Sequence, residues 1–186
     1  MAYLTLPQLV RVNLTLPVAD ERVGADTFTE KLMRARILDP ERALYGLNKR
    51  DRGAVGVDLS SMTGLLTVTL NDITDARTTY AWRYCYYLWP DPPAVYVNGT
   101  AVSTGWVFCR DAMQVEFASA RPPGATDQLK GHIVDLNQAT AEIGQIVLDQ
   151  YRQLADIKGG EFERIARDFA RTVAHYKNRV IRRGES

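Results

Sequence analysis

The spacing of apolar and polar residues divides the chain into four regions. Residues 1–50 carry short apolar runs at helical spacing and residues 51–64 hold glycines and charges without a period, which predicts short N-terminal helices followed by a loop. Alternating apolar residues and frequent turn signals over 65–134 predict a small antiparallel β-meander of about five or six strands. Spacings of three and four return over 135–183, which predicts a helical hairpin or one kinked long helix. This order is typical of an α+β fold, and we expect a single domain over residues 1–186.

Several residues are typical of the first turn of a helix. Asp39 before Pro40 predicts a helix start, because aspartate accepts backbone N–H groups there and proline removes none that is needed. Thr27–Glu30 has the sequence of a capping box. Asp135 and Asn137 are alternative caps for the first C-terminal helix. These residues set where we expect three of the helices to begin.

Glycine and proline mark the expected ends of strands. Asn98–Gly99 follows an apolar run and predicts a tight hairpin turn, because both residues accept a positive φ. Trp89–Pro93 contains three prolines, which cannot donate to a β ladder, and it predicts the end of a strand.

The C-terminal region has the most regular apolar spacing. Gly159–Gly160 interrupts that spacing, because two glycines lower helix stability, and it lets the chain reverse. We expect an apolar stripe on the second helix to pack against the first helix. The stripe comprises Phe162, Ile165, Phe169, Val173 and Tyr176. The residues of the first helix that it should meet are Ile143, Val147 and Tyr151.

Basic side chains lie on the other face of that second helix. Cations near a helix C-terminus interact favourably with the helix macrodipole, which explains Lys177 and Arg179. Arg164, Arg167 and Arg171 come too early in the helix for that explanation. These five residues form our candidate partner surface, with a solvated face, an acidic protein surface and DNA as the alternatives.

Charge and composition narrow the possible partners. The chain has 186 residues and a formal net charge of +1, so its bulk charge indicates neither a nucleic-acid nor a membrane partner. It contains no apolar stretch near the roughly 20 residues that span a bilayer. The N-terminus lacks the pattern of an export signal, so we expect no membrane partner, and we expect reduced, buried thiols at Cys85 and Cys109.

The sequence offers little that is typical of an enzyme. His132 and His175 are its two histidines, and neither has a second ligand at metal-binding spacing. Phosphate-binding glycine motifs and the nucleophile elbow are missing as well. We therefore predict no enzymatic activity, no cofactor and no metal site. A thiol–imidazole pair of Cys85 or Cys109 with His132 is the alternative that would make the chain a small enzyme.

An aromatic segment stands out between Tyr80 and Trp89. Alternate residues of a strand share a face, so four aromatic residues are expected on one side of it. They are Tyr80, Trp82, Tyr84 and Tyr86. We interpret them as a core face or a subunit interface, where tyrosine and tryptophan are enriched. A carbohydrate-binding module that uses this aromatic strand is the alternative.

A recognisable order of motifs covers the second half of the chain. A predicted strand runs into D-L-x-x-A, then come a helix, a glycine break and a second helix. The residues that carry this order are Asp135, Leu136, Ala139, Gly159, Gly160, Ala174 and Tyr176. In this half the chain resembles the small head–tail connector proteins of long-tailed bacteriophages, which also begin with short helices and a β-meander. The chain departs from the connectors at Glu161–Arg164, where they carry a serine-rich stretch.

This resemblance implies a structural virion protein without a cofactor. It implies a head-to-tail adaptor subunit that forms a homo-oligomeric ring, often a dodecamer, beneath the portal protein. The ring would contact a downstream neck or tail protein, and packaged DNA would pass through its lumen. The phrases at Val95–Gly99 and Glu116–Gly124 also resemble β-modules of phage fibre proteins, so a tail-completion or fibre-attachment protein is the alternative within the virion.

Overall fold

The structure, a computed structural model, consists of two compact units. It describes residues 4–16, 22–47, 57–70, 77–81, 87–109, 114–122 and 124–181. The sheet unit holds the described residues from Ile37 to Val134, together with Leu4 and Thr5. The helical unit holds those of Leu6–Arg36 and Asp135–Arg182. The single domain over residues 1–186 stays a prediction.

Five helices are present in the described ranges. They are α1 (Leu6–Asn13), α2 (Ala25–Arg34), α3 (Pro40–Gly46), α4 (Leu136–Lys158) and α5 (Gly160–Lys177). The predicted α+β class, the short N-terminal helices and the C-terminal hairpin are therefore confirmed.

Two helices begin where the sequence predicts. The carboxylate of Asp39 accepts a hydrogen bond from the backbone N–H of Glu41 at 3.0 Å, and Pro40 is the first residue of α3. The carboxylate of Asp135 accepts one from the backbone N–H of Gln138 at 3.0 Å, so Asp135 caps α4. The pattern of capping residues thus located both starts.

The capping box predicted at Thr27–Glu30 is wrong. Helix α2 begins earlier, at Ala25, and Gly24 is its N-cap without a side-chain cap hydrogen bond in the part of the chain described. Because Thr27 already lies in the first turn, its backbone N–H donates to the carbonyl of Gly24 at 3.1 Å. Its hydroxyl therefore cannot occupy the capping position that the pattern requires.

Eight strands lie within the same described ranges. They are β1 (Val57–Leu59), β2 (Leu65–Thr69), β3 (Arg77–Ala81), β4 (Leu88–Val97), β5 (Thr100–Val102), β6 (Trp106–Cys109), β7 (Gln114–Arg121) and β8 (Gln128–Ile133). They form one sheet of order β1-β2-β8-β4-β5 and another of order β3-β7-β6, with antiparallel pairing throughout.

The strand order differs from the simple meander that the sequence predicts. Strand β8 lies between β2 and β4, which precede it by many residues in the chain. Leu129 and Ile133 of β8 are buried, as are Leu66 of β2 and Val95 of β4, so the central strand joins one apolar face. Burial of that face favours the position of β8 between β2 and β4. The alternation of apolar residues within each strand does not show which strands are neighbours.

Strand β1 lies inside the segment that we predicted as a loop. Val57 pairs with Val68 and Leu59 with Leu66, so residues 57–59 extend the sheet, whereas residues 51–56 lie outside the described part of the chain. The turn that follows requires Gly64, whose φ is +62° and where a Cβ atom would lie 2.9 Å from the carbonyl oxygens of Ile37 and Leu38. Three residues are too few for a visible period, which is why the sequence pattern did not indicate this strand.

The strand end predicted at Trp89–Pro93 is also wrong, because β4 continues through these prolines. The register jumps from Trp89 opposite His132 to Ala94 opposite Lys130, so residues 90–93 bulge where β8 has only Gly131. Proline can lie in a strand at such a bulge, since the regular ladder is interrupted there. The turn predicted at Asn98–Gly99 is confirmed, with φ values of 47° and 81°.

The packing of the C-terminal hairpin confirms the predicted apolar stripe at Phe169 and Val173, whereas the hydroxyl of Tyr176 donates to the carbonyl of Asn13 at 3.3 Å instead. The rings of Tyr151 and Phe169 meet edge to face with centroids 5.6 Å apart. Val173 is buried against Gly144, where an added Cβ would lie 2.9 Å from the Val173 Cγ2 atom. Gly159, at φ 75°, ends α4 and lets the chain reverse into α5.

Replacing Phe169 with alanine is expected to lower the free energy of unfolding by about 2 kcal/mol. Truncation of a fully buried phenylalanine costs about 3–5 kcal/mol, but Phe169 is only partly buried beside Leu148, Ala166 and Val173. Urea unfolding monitored by circular dichroism measures the change. Ile157→Ala is the control, because Ile157 is 78% exposed and its loss should change stability by less than about 0.5 kcal/mol.

Candidate functional site

Helix α5 carries the largest group of predicted site residues. It begins at Gly160, and Glu161 and Glu163 in its first turn complement the positive end of the helix dipole. Lys177 in its last turn complements the negative end. Charged residues therefore stabilise both ends of the helix through its dipole. The basic residues in the middle of the helix need a different explanation.

Three of the predicted arginines lie on one line along α5. Arg164, Arg167 and Arg171 are spaced by three and four residues, which places them on the same helical face, and all three are exposed. This line, which we call the basic ridge, lies opposite the line that packs Ala166 and Val173 into the hairpin core. Arg171 is 77% exposed, and its Nη1 atom lies 3.4 Å from a carboxylate oxygen of Asp168.

The other two predicted basic residues do not join this ridge. Lys177 lies on the flank of α5 and its Nζ atom donates to Oε1 of Gln145 on α4 at 2.8 Å. Arg179 follows the end of the helix, and its carbonyl oxygen accepts a hydrogen bond from Nδ2 of Asn137 at 3.1 Å. Both residues make contacts between the two arms of the hairpin, so the continuous part of the predicted surface consists of the three arginines.

The structure adds an acidic line on α4 that we did not predict. Glu142, Asp149 and Asp156 are each seven residues apart and lie opposite the buried line of Ile143 and Val147. We call these three residues the acidic ridge. A search of the sequence for like charges at heptad spacing would have found it.

Local contacts differ along the acidic ridge. Glu142 lies 3.8 Å from Nζ of Lys31 on α2 and accepts a hydrogen bond from Gln138 at 2.9 Å. Asp149 is 54% exposed, accepts a hydrogen bond from Nε2 of Gln145 at 2.8 Å and lies 3.4 Å from Nη1 of Arg152, three residues along the same helix. Asp156 is exposed near the end of α4. Glu142 is thus engaged within the subunit, whereas the distal half of the ridge faces solvent.

A cleft of about 420 Å³ lies at the Arg164 end of the basic ridge within the helical unit. Arg164 and Asp168 lie on its rim, and apolar side chains of Leu16, Tyr151 and Phe169 are among its other walls. Charged groups beside an apolar depression are typical of protein–protein interfaces. A surface for the phosphate backbone of DNA would instead be uniformly basic.

The aromatic strand is only partly described. The backbone of Tyr80 lies in β3 and pairs with Val115 of β7. Trp82, Tyr84 and Tyr86 lie outside the described residues. Their role in a core, an interface or a carbohydrate site stays a prediction.

The candidate enzyme residues that the structure describes, Cys109, His132 and His175, lie in separate elements. His132 is half-buried on β8, and His175 is exposed on α5, where its ring meets that of Tyr176 at 5.2 Å. Cys85 lies outside the described residues, and Cys109 ends β6, a strand of the other sheet. Within the described ranges, no three His, Cys, Asp or Glu side chains form a group able to hold a metal.

The helices also bear on the predicted absence of a membrane partner. Each helix in the described part of the chain is either too short or too polar to cross a membrane.

Comparisons with known proteins give no relative, since the chain matches no protein-family model, no curated protein and no solved structure.

Proposed function

We propose that the chain is a structural virion protein, the head-to-tail adaptor subunit of a tailed bacteriophage. In this proposal identical subunits form a ring beneath the portal protein, contact a downstream neck or tail protein and lead packaged DNA toward the tail. The protein is then not an enzyme and needs no cofactor. The observation that carries the proposal is the order of elements: short helices, an antiparallel β region and a two-helix hairpin. This is the order that the resemblance to connector proteins implies.

The arginines of the basic ridge support an assembly role, because the fold of the hairpin does not require them. Surface ion pairs contribute little to stability, so the stability of the subunit gives no reason to align exposed arginines on a single line. The line from Arg164 to Arg171 lies along the exposed side of α5, and Arg164 at one end of it lines a cleft that has several apolar walls. We assign it to a protein partner, either the portal or a neighbouring subunit, with DNA as the lesser option.

Imaging of the purified protein tests this proposal. Negative-stain microscopy and native mass spectrometry of the full chain, alone and mixed with portal particles of the phage that encodes it, should show closed rings of one stoichiometry. Bovine serum albumin at the same concentration controls for non-specific deposition on the portal. A chain that stays monomeric under both conditions and leaves portal particles bare would contradict the adaptor role.

Reversing the charge of the basic ridge should block assembly without unfolding the subunit. In the triple variant Arg164→Glu, Arg167→Glu and Arg171→Glu, the melting temperature should stay within a few degrees of the wild type, since exposed charges contribute roughly 0–1 kcal/mol each. Ring formation on portal particles should be lost. Differential scanning fluorimetry and negative-stain counting measure the two effects.

A matched control changes the same charge elsewhere in the helical unit. The variant Arg34→Glu, Arg152→Glu and Lys158→Glu alters three exposed cations that lie outside the candidate partner surface. It should assemble normally. Unfolding of the ridge variant alone would show that the arginines are structural, and normal assembly of that variant would remove the basic ridge from the proposed function.

A further inference from the structure

We propose that neighbouring copies of this chain dock side by side, with the acidic ridge of one hairpin against the basic ridge of the next. The inference rests on the proposed function only in that both require copies of the chain to assemble. The partner of the basic ridge is then a second copy of this chain.

The distal half of the acidic ridge, Asp149 and Asp156, matches the basic ridge in length and is opposite in sign. Asp149 and Asp156 are separated by seven residues, and so are Arg164 and Arg171. A helix rises 1.5 Å per residue, so each charged pair spans about 10 Å along its axis. Two helices that lie alongside each other can therefore bring Asp149 and Asp156 opposite Arg164 and Arg171 at the same time.

Neither ridge is used by the packing of its own hairpin. The α4–α5 core is built by Leu148, Ala166 and Val173 with the rings of Tyr151 and Phe169, on the sides of both helices away from the ridges. The basic ridge and the distal half of the acidic ridge, Asp149 and Asp156, therefore stay accessible when the subunit is folded. The acidic ridge and the basic ridge of one chain are complementary in charge. We therefore assign a second copy of the chain as the partner, because its acidic ridge fits the basic ridge and its basic ridge fits the acidic one.

Contacts within each helix leave the charges of the ridges available for this docking. Gln145 donates a hydrogen bond to Asp149 at 2.8 Å, but an amide does not neutralise the carboxylate. Arg152 lies 3.4 Å from Asp149 and Arg171 lies 3.4 Å from Asp168, both at a spacing of three residues on exposed helix surface. Pairs of that kind are weak, so the same side chains can turn to a neighbour that excludes water more completely. The contact between copies is then electrostatic in origin, and it weakens as salt rises.

The use of two different surfaces makes the contact heterologous. Such a contact propagates from copy to copy and closes into a ring when the rotation between copies allows it. A two-fold contact through either ridge alone would bring like charges together and is disfavoured. The charges thus set the direction in which copies are added, as an adaptor ring requires.

A charge swap tests the contact. One variant carries Asp149→Lys and Asp156→Lys, and the other carries Arg164→Glu and Arg171→Glu. Each variant alone presents like charges on both ridges, so its self-association should weaken at least about tenfold in sedimentation velocity experiments over a concentration series. An equimolar mixture should recover association, because lysines on one variant then meet glutamates on the other. Each variant must keep the wild-type circular dichroism spectrum.

The outcomes separate this inference from the proposed function. If both variants form rings on portal particles as the wild type does, the ridge contact is wrong and the adaptor role stands. Loss of association in each variant without recovery in the mixture also overturns the ridge contact. If association follows the ridges but the wild type forms filaments and ignores portal particles, the contact stands and the adaptor role falls.

Discussion

Replacing Asp127 with alanine is expected to lower the free energy of unfolding by about 3–4 kcal/mol. The side chain of Asp127 is fully buried, and its two oxygens accept hydrogen bonds from Nε and Nη2 of Arg121 at 2.7 and 3.3 Å. Removing one member of a buried ion pair takes the counter-charge from the other, which typically costs about 3–5 kcal/mol. The side chain of Arg121 is 18% exposed, so we expect the lower part of that range.

The backbone of Asp127 also contributes to stability, and the alanine variant keeps this contribution. Its carbonyl oxygen accepts a hydrogen bond from the N–H of Leu70 at 2.9 Å, next to the pairing of β2 with β8. The alanine variant therefore isolates the loss of the carboxylate. Urea unfolding of Asp127→Ala, Arg121→Met and the double variant gives a double-mutant cycle. The coupling energy should be at least about 1.5 kcal/mol. Additive effects of the two changes would show that the ion pair contributes nothing.

The local features of this fold could be predicted from the sequence. Caps at Asp39 and Asp135, the turn at Asn98–Gly99 and the contact of Tyr151 with Phe169 each depend on residues close together in the chain. Such features follow from side-chain chemistry and helical or strand periodicity, and they were predicted correctly. The capping box at Thr27–Glu30 failed because two helix starts were compatible with the same residues.

Features that depend on distant partners could not be predicted in the same way. The position of β8 between β2 and β4 is decided by which strands share the buried face, and many orders satisfy the same alternation. The prolines at 90–93 are tolerated because Gly131 lies opposite the bulge, where an added Cβ would lie 3.0 Å from the carbonyl oxygen of Trp89. Nothing near those prolines in the sequence indicates this.

In the candidate site, too, local features could be predicted from the sequence and contacts with distant residues could not. The spacing of Arg164, Arg167 and Arg171 was enough to place them on one exposed face. Lys177 was grouped with them by its charge, yet the structure has it bound to Gln145, a residue of the other helix. The acidic ridge was visible in the sequence as a heptad repeat of like charges, but it gains a meaning only once an opposite ridge is found on the same hairpin.

Replacing Asp135 with alanine is expected to lower the free energy of unfolding by about 3 kcal/mol. Asp135 is fully buried and accepts two backbone hydrogen bonds, from Gln138 at the start of α4 and from Ile181 beyond the end of α5, at 3.0 and 2.6 Å. Loss of an N-cap costs about 1 kcal/mol, and loss of a hydrogen bond to a charged group about 1.5–3 kcal/mol. The carboxylate therefore joins the two ends of the hairpin.

Asparagine at this position separates the two roles of Asp135. Asparagine is also a good N-cap, so Asp135→Asn should keep the hydrogen bond from Gln138, but its amide group cannot accept the second one from Ile181. Hydrogen exchange should then accelerate at the Ile181 amide by at least about tenfold and stay slow at Gln138. Asn137→Ala, which removes only the exposed hydrogen bond to the carbonyl of Arg179, should change stability by less than about 1 kcal/mol. Unchanged exchange at Ile181 in the asparagine variant would mean that the carboxylate acts only as a cap. An accelerated amide there would instead show that one buried carboxylate fixes where the chain leaves α5.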